Sequence, residues 1–219
     1  WLYPQWSVEH ETASRRLTAH LGTYRPIIYA VHRTEALRKS YQAVVDLDLD
    51  NSFGELLPSS MPIIAGKVKT LERLYMVRQT HADMTSRKLN SDMFDWISGP
   101  RWAMQLEKFR DCLVQEVMRV DSMQLVEARE IVKEALLLHV RKGLAANWEK
   151  RYLHREVTAF SRIYRMARDI PALRKTWRDF RSLLPGHGND EYRASLPSLL
   201  RPSSRYHSDF LPIYRAITS

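Results

Sequence analysis

PRWAMQLEKFRDCLVQEVMRVDSMQLVEAREIVKEAL, residues 100–136, decides the fold class. Trp102, Leu106, Phe109, Leu113 and Val117 recur at steps of three and four, which puts them on one stripe of a helix. Pro100 suits the first turn, where a missing N–H costs nothing. Asp121 with Gln124 three residues on resembles a capping box in which Asp replaces Ser or Thr. The helix it would start carries Leu125, Ala128, Val132, Ala135 and Leu136 on one side. Two amphipathic helices in tandem, with no alternating strand and no hairpin dipeptide, point to an all-α protein.

The same spacing extends outward from this stretch. Ser7 can cap a short helix that ends at Leu21-Gly22. Pro26 suits the start of a second helix reaching about Leu47, carrying Ile27, Ala30, Val31, Leu37, Tyr41, Val44 and Val45. Asp46–Ser60 reads as a loop with a short turn at Phe53–Leu57. Pro62 then opens a third helix running toward Leu89, and Ser91–Ser98 adds one further turn, stopped by Gly99. On the C-terminal side Gly143 is the one helix interrupter between Ser122 and Arg168. A run of that length is far above the mean helix, so a break or kink is expected near Gly143–Asn147. Pro171 starts a last helix with Leu173, Trp177 and Phe180. The expected architecture is an irregular bundle of six or seven helices over residues 7–184. An aromatic N-terminal arm (residues 1–6) precedes it. A tail at 185–219 follows, punctuated by Pro185, Pro197, Pro202 and Pro212 and expected to be an extended strap.

Composition bounds the function classes. The chain has 219 residues, long enough to bury a core without metal or disulfide. Seven glycines are about half the usual share. That scarcity disfavours glycine-rich phosphate loops. The single Cys112 excludes an internal disulfide and fits a reducing compartment. The longest apolar run, Glu134–Trp148, is broken by His139, Arg141 and Lys142, so no membrane-spanning helix is expected. Residue 1 is Trp rather than Met, which raises two expectations, a removed organellar targeting peptide or a disordered start left out of the numbering.

Charge is unevenly placed. Residues 141–181 hold twelve basic against four acidic side chains, nearly all of the chain's net +9. On a helical wheel Arg151, Arg155, Arg162 and Arg165 fall within roughly 80° of each other, opposite Leu153, Val157, Phe160 and Ile163. Few acidic neighbours balance them, and arginine suits bidentate contact with carboxylate or phosphate. This face is the expected partner-binding surface, helped by the rings of Trp1, Trp6, Phe210 and Tyr214 at the two ends. An acidic face on another protein subunit is the first expectation for the partner. Anionic lipid head groups and RNA share the same chemistry.

Catalytic and metal chemistry find no motif. Asp46-Leu-Asp48-Leu-Asp50 imitates the start of a calcium loop, but Asn51 and Leu57 stand where the loop needs Gly and a bidentate Glu. The eight histidines form no zinc or di-iron spacing. His187 lies in a run of turn formers with no nucleophile tied to it. Cys112 lies at the margin of the Phe109/Leu113 stripe. Catalytic residues, metal ligands and cofactors are therefore expected to be none. Ile163-Tyr164-Arg165, followed by Phe180-Arg181, resembles the tripeptide of the small mitochondrial LYR-motif proteins. There the motif opens the domain and Phe-Arg comes later, so no family property is carried over. The functional expectation is a non-catalytic accessory subunit of a mitochondrial inner-membrane energy-converting complex, an ATP synthase or respiratory complex, at the matrix or the matrix face of the membrane. The alternative is a mitochondrial ribosomal or other RNA-binding subunit, and behind it a helical enzyme without a recognisable motif.

Overall fold

The computed structural model describes residues 5–71, 73, 92–152 and 199–218; for Lys150, Arg151, Tyr152 and Ile217 it describes the backbone alone. Among the described residues there are seven helices and no strand, so the protein is all-α. They are α1 (Ala13–Gly22), α2 (Thr34–Asp46), α3 (Asn51–Ala65), α4 (Met93–Ile97), α5 (Trp102–Asp121), α6 (Leu125–Tyr152) and α7 (His207–Thr218). The chain divides into two units. The first takes in 6–70 and 92–149; the second takes in 5, 71, 73, 150–152 and 199–218.

The first unit is built around α3, which packs against α1, α2 and α5. Its core joins Leu17 and Leu21 of α1, Leu57 and Ile64 of α3, Phe109 and Leu113 of α5, and Val132 and Ala135 of α6. The α5 and α6 stripes read from the sequence are therefore the faces turned inward. Phe53 lies between Trp96 of α4 and Phe109 of α5, with ring centroids 4.7 and 5.0 Å away.

Helix ends are held by side chains from distant elements. Thr12 caps α1 locally, and the Asp121 carboxylate, from the last residue of α5, accepts from Ala13 N at 2.7 Å and Ser14 N at 2.8 Å. Lys142 of α6 donates to the Gly22 carbonyl at the other end of α1. An anion at the N-terminus and a cation at the C-terminus both complement the helix dipole. α3 is treated the same way. Asp50 caps its start by accepting from Phe53 N at 2.9 Å. At its end the guanidinium of Arg16, only 4% exposed, donates to the Ile63 and Ile64 carbonyls at 2.7 and 2.6 Å. Arg16 also donates to His10 O and Glu11 O, at 3.0 and 2.6 Å. Orphan carbonyls at a buried helix end need such a donor.

Several expectations are corrected. α1 begins at Ala13, not at Ser7, whose hydroxyl instead accepts from Thr70 N. α2 begins at Thr34, not at Pro26. Residues 26–33 form a loop in which Ile27 is buried and its carbonyl oxygen lies 2.7 Å from His32 Nε2. The expected loop at 46–60 is largely helix, because α3 runs from Asn51 with Pro58 and Pro62 inside it. Burial on nearly every side outweighs the two lost backbone hydrogen bonds. The helix expected to begin at Pro62 instead ends at Ala65, and Val68 forms an antiparallel bridge with Val8. Asp121 caps α1 rather than α6. The expected break at Gly143 is absent: α6 continues to Tyr152. A Cβ on Gly143 would stand 2.3 Å from Met93 Cε, so the glycine makes room for α4.

In the second unit, part of the tail expected to be extended is helix. α7 contains Pro212, and Phe210, Ile213 and Tyr214 share one face at three- and four-residue spacing. Phe210 is buried, and one buried face tolerates one proline. Arg73 lies 3.6 Å from Asp209 of this helix.

Candidate interaction surface

Most of the arginine face expected to bind a partner lies outside the described residues. Arg155, Arg162 and Arg165 are outside them, as is Trp1; Arg151 is described by its backbone, in the last turn of α6. Trp6 is partly exposed, with the Arg25 guanidinium 5.3 Å above its ring. Phe210 is buried and Tyr214 half-buried beside it, ring centroids 6.1 Å apart, so Phe210 contributes to packing rather than to an open surface.

The described structure offers another face, on α6. Ala128, Val132, Ala135 and Leu136 line its inner side. On the outer side Val126, Leu137 and Trp148 are 75%, 54% and 53% exposed. Each step of eleven residues returns to within about 20° on the helix, so the three lie on one stripe roughly 33 Å long. Val140 and Leu144 lie half-buried along the same stripe. Glu130 and Lys133 interrupt it as an exposed ion pair of 2.8 Å. Single exposed apolar residues are ordinary; here three of them share one line with two half-buried ones. The signal stood in the sequence: Leu136, Leu137 and Leu138 in succession cannot all point to one core.

A polar cluster, buried at His20 and half-buried at Tyr24 and His139, lies at the other side of the same helix. The rings of His20 (α1), Tyr24 and His139 (α6) meet edge to face, with centroid separations of 5.2 and 5.1 Å. The Tyr24 hydroxyl lies within hydrogen-bonding distance of Glu55 Oε1 (3.2 Å) and Ser59 Oγ (3.4 Å) of α3. His20 Nε2 is buried without a hydrogen-bond partner in the protein. Burial, reinforced by nearby His139, pushes its pKa down to about 3. Burial also lowers the His139 pKa, against a hydrogen bond to the Leu21 backbone that works the other way. Both imidazoles are neutral at pH 7. This pair escaped the sequence reading because its members are 119 positions apart.

The acidic run at 46–50 has structural partners. Asp46 accepts from Gln42 at 2.8 Å, Asp48 pairs with Arg101, and Asp50 caps α3 while accepting from Trp96 Nε1 at 3.1 Å. Among the described residues no group of three or more His, Cys, Asp or Glu side chains could hold a metal ion. Burial, then the neighbouring Glu116, raises the Cys112 pKa, which disfavours the reactive thiolate. Among the described residues no helix is long and apolar enough to cross a membrane. Comparison with protein-family models, curated proteins and solved structures finds no match.

Proposed function

We propose that this chain is a non-catalytic helical subunit that docks into a larger protein assembly. The observation that carries the proposal is the second apolar stripe of α6, with Val126, Leu137 and Trp148 exposed on the side away from the core. Such a stripe suits burial against another protein better than it suits water. The charge concentrated at residues 141–181 supports an acidic protein face as part of the contact. The particular assembly proposed is a mitochondrial inner-membrane energy-converting complex, on the strength of that basic stretch.

The test is native purification of the tagged chain from its source cells, for the wild type and for Leu137→Glu. The wild type is expected to co-migrate with membrane-complex subunits, insensitive to nuclease. Leu137→Glu is expected to lower that recovery about tenfold while helicity is unchanged, since residue 137 faces outward. Recovery with ribosomal RNA that nuclease abolishes would replace the reading with RNA binding. Equal recovery of both forms would overturn the docking role of this face.

A further inference from the structure

The outward face of α6 carries a charge pattern that narrows its partner. Along the stripe the order is Val126, Glu130, Lys133, Leu137, Val140, Leu144 and Trp148, at steps of three or four. That is the spacing of a helix–helix seam. Beside the seam, Glu134 precedes Leu137 and Arg141 follows it, one turn to either side and on the same flank. Acid therefore stands before the middle of the seam and base after it.

We propose that this face pairs with the same face of a second copy of the chain, the two α6 helices running antiparallel. The inference rests on reading the outer stripe as a docking surface and names what docks there. With the two-fold axis between Leu137 and Val140, Leu137 of each copy meets Val140 of the other. In antiparallel pairs the same flanks face each other, so Glu134 of each copy faces Arg141 of the other. Lys133 lies over Leu144 and Glu130 over Asn147, so neither of these seam charges meets its like. Trp148 of one copy reaches Val126 of the other, a large ring over a small side chain. A parallel pair in register would set Glu130 against Glu130 and Lys133 against Lys133 inside the seam, an arrangement that like-charge repulsion disfavours. The antiparallel pair also opposes the two helix dipoles.

The test uses the full chain in sedimentation equilibrium at about 1–100 µM, the range in which a moderate protein–protein pairing populates both states. The wild type is expected to dimerise in that range. Leu137→Glu is expected to weaken pairing about a hundredfold. Glu134→Arg alone and Arg141→Glu alone are each expected to weaken it about tenfold. The double variant Glu134→Arg/Arg141→Glu recreates the cross-copy pair in reverse and should recover to within about threefold of wild type. All three positions are exposed, and circular dichroism checks that each variant keeps its helicity. A monomeric wild type at 100 µM, or a double variant no better than the singles, would overturn the pairing. If the pure chain is monomeric but Leu137→Glu still loses its native assembly, the second copy is excluded and the docking reading stands. If the chain dimerises through Leu137 but the variant enters the assembly normally, the pairing stands and the docking reading fails.

Discussion

Residues 100–136 and residues 46–65 fold into helices for different reasons. In the first stretch α5 and the start of α6 carry an apolar stripe at three- and four-residue spacing, and the stripe is the buried face. In the second, α3 contains a glycine and two prolines within fifteen residues. Local propensity there argues for a loop, and the surroundings decide otherwise. α3 is buried on nearly every side and capped by Asp50 at one end and Arg16 at the other. A helix that local chemistry favours can be read from its own residues. A helix that depends on its neighbours cannot.

The largest expected effect breaks α3 where its neighbours hold it. Arg16→Ala should cost about 4 kcal/mol, because the Ile63 and Ile64 carbonyls lose a charged donor inside the protein. Arg16→Lys should recover part of that. Chemical denaturation measures both, and a loss under about 1 kcal/mol would show that α3 stands without this cap. Leu57→Ala, at the centre of α3, should cost about 3 kcal/mol by leaving a cavity. If it costs less than the same truncation at exposed Leu137, the core is not organised around α3.

The paired histidines sharpen the contrast from the other side, since they tie α1 to the well-read α6. The His20 pKa in the folded protein, about 3, lies below its ordinary 6.5. The unfolded chain therefore binds the proton first. The stability that follows from a neutral His20 is fully present above about pH 6.5 and is lost as pH falls toward 3. The limiting slope is about 1.4 kcal/mol per pH unit for one such group. His20→Leu should flatten the dependence between pH 6.5 and 4 measured by urea denaturation. A slope identical to wild type would show that His20 does not set it.

A smaller effect is expected at Asp121. Burial works to raise its pKa, but the hydrogen bonds from Ser14 and Ala13 outweigh it and the net shift is downward. Asp121→Ala should cost about 1 kcal/mol at pH 7 through loss of the α1 cap. That cost should shrink in acid, once the carboxylate is protonated in the wild type. The smallest expected effect is none. Millimolar calcium should leave the melting temperature unchanged, because Asp48 and Asp50 are engaged with Arg101, Trp96 and the start of α3. A rise of several degrees, absent with magnesium, would show that the acids prefer the ion.

Much of the helix pattern was legible because periodicity is local. The inner stripes of α5 and α6, the end of α1 at Leu21-Gly22 and the end of α2 near Leu47 all follow from residues within a few turns. The starts were less legible. Pro26 marks a loop rather than a helix start, because Ile27 is buried and tied to His32. Asp121 has capping chemistry, but the helix it caps is more than a hundred residues away. Of the expected interaction residues, Trp6 is partly exposed, while Phe210 packs inward in a helix that Pro212 argued against. Leu136, Leu137 and Leu138 in succession signal a second apolar side of α6, but which of them faces outward follows only from the side of that helix the core uses.

By itself the sequence determined the fold class, the inward faces of α5 and α6, and the concentration of positive charge at 141–181. Those are properties of short windows: a three-to-four-residue period and a local charge count. The tertiary structure alone decided that α3 is a helix through two prolines, that Arg16, Asp121 and Lys142 cap helices remote in sequence, and that His20 and His139 share one cluster. It also decided that Val126, Leu137 and Trp148 face outward. Burial and long-range capping are set by what the chain brings near each residue, and the residue's own neighbours in sequence do not carry that information.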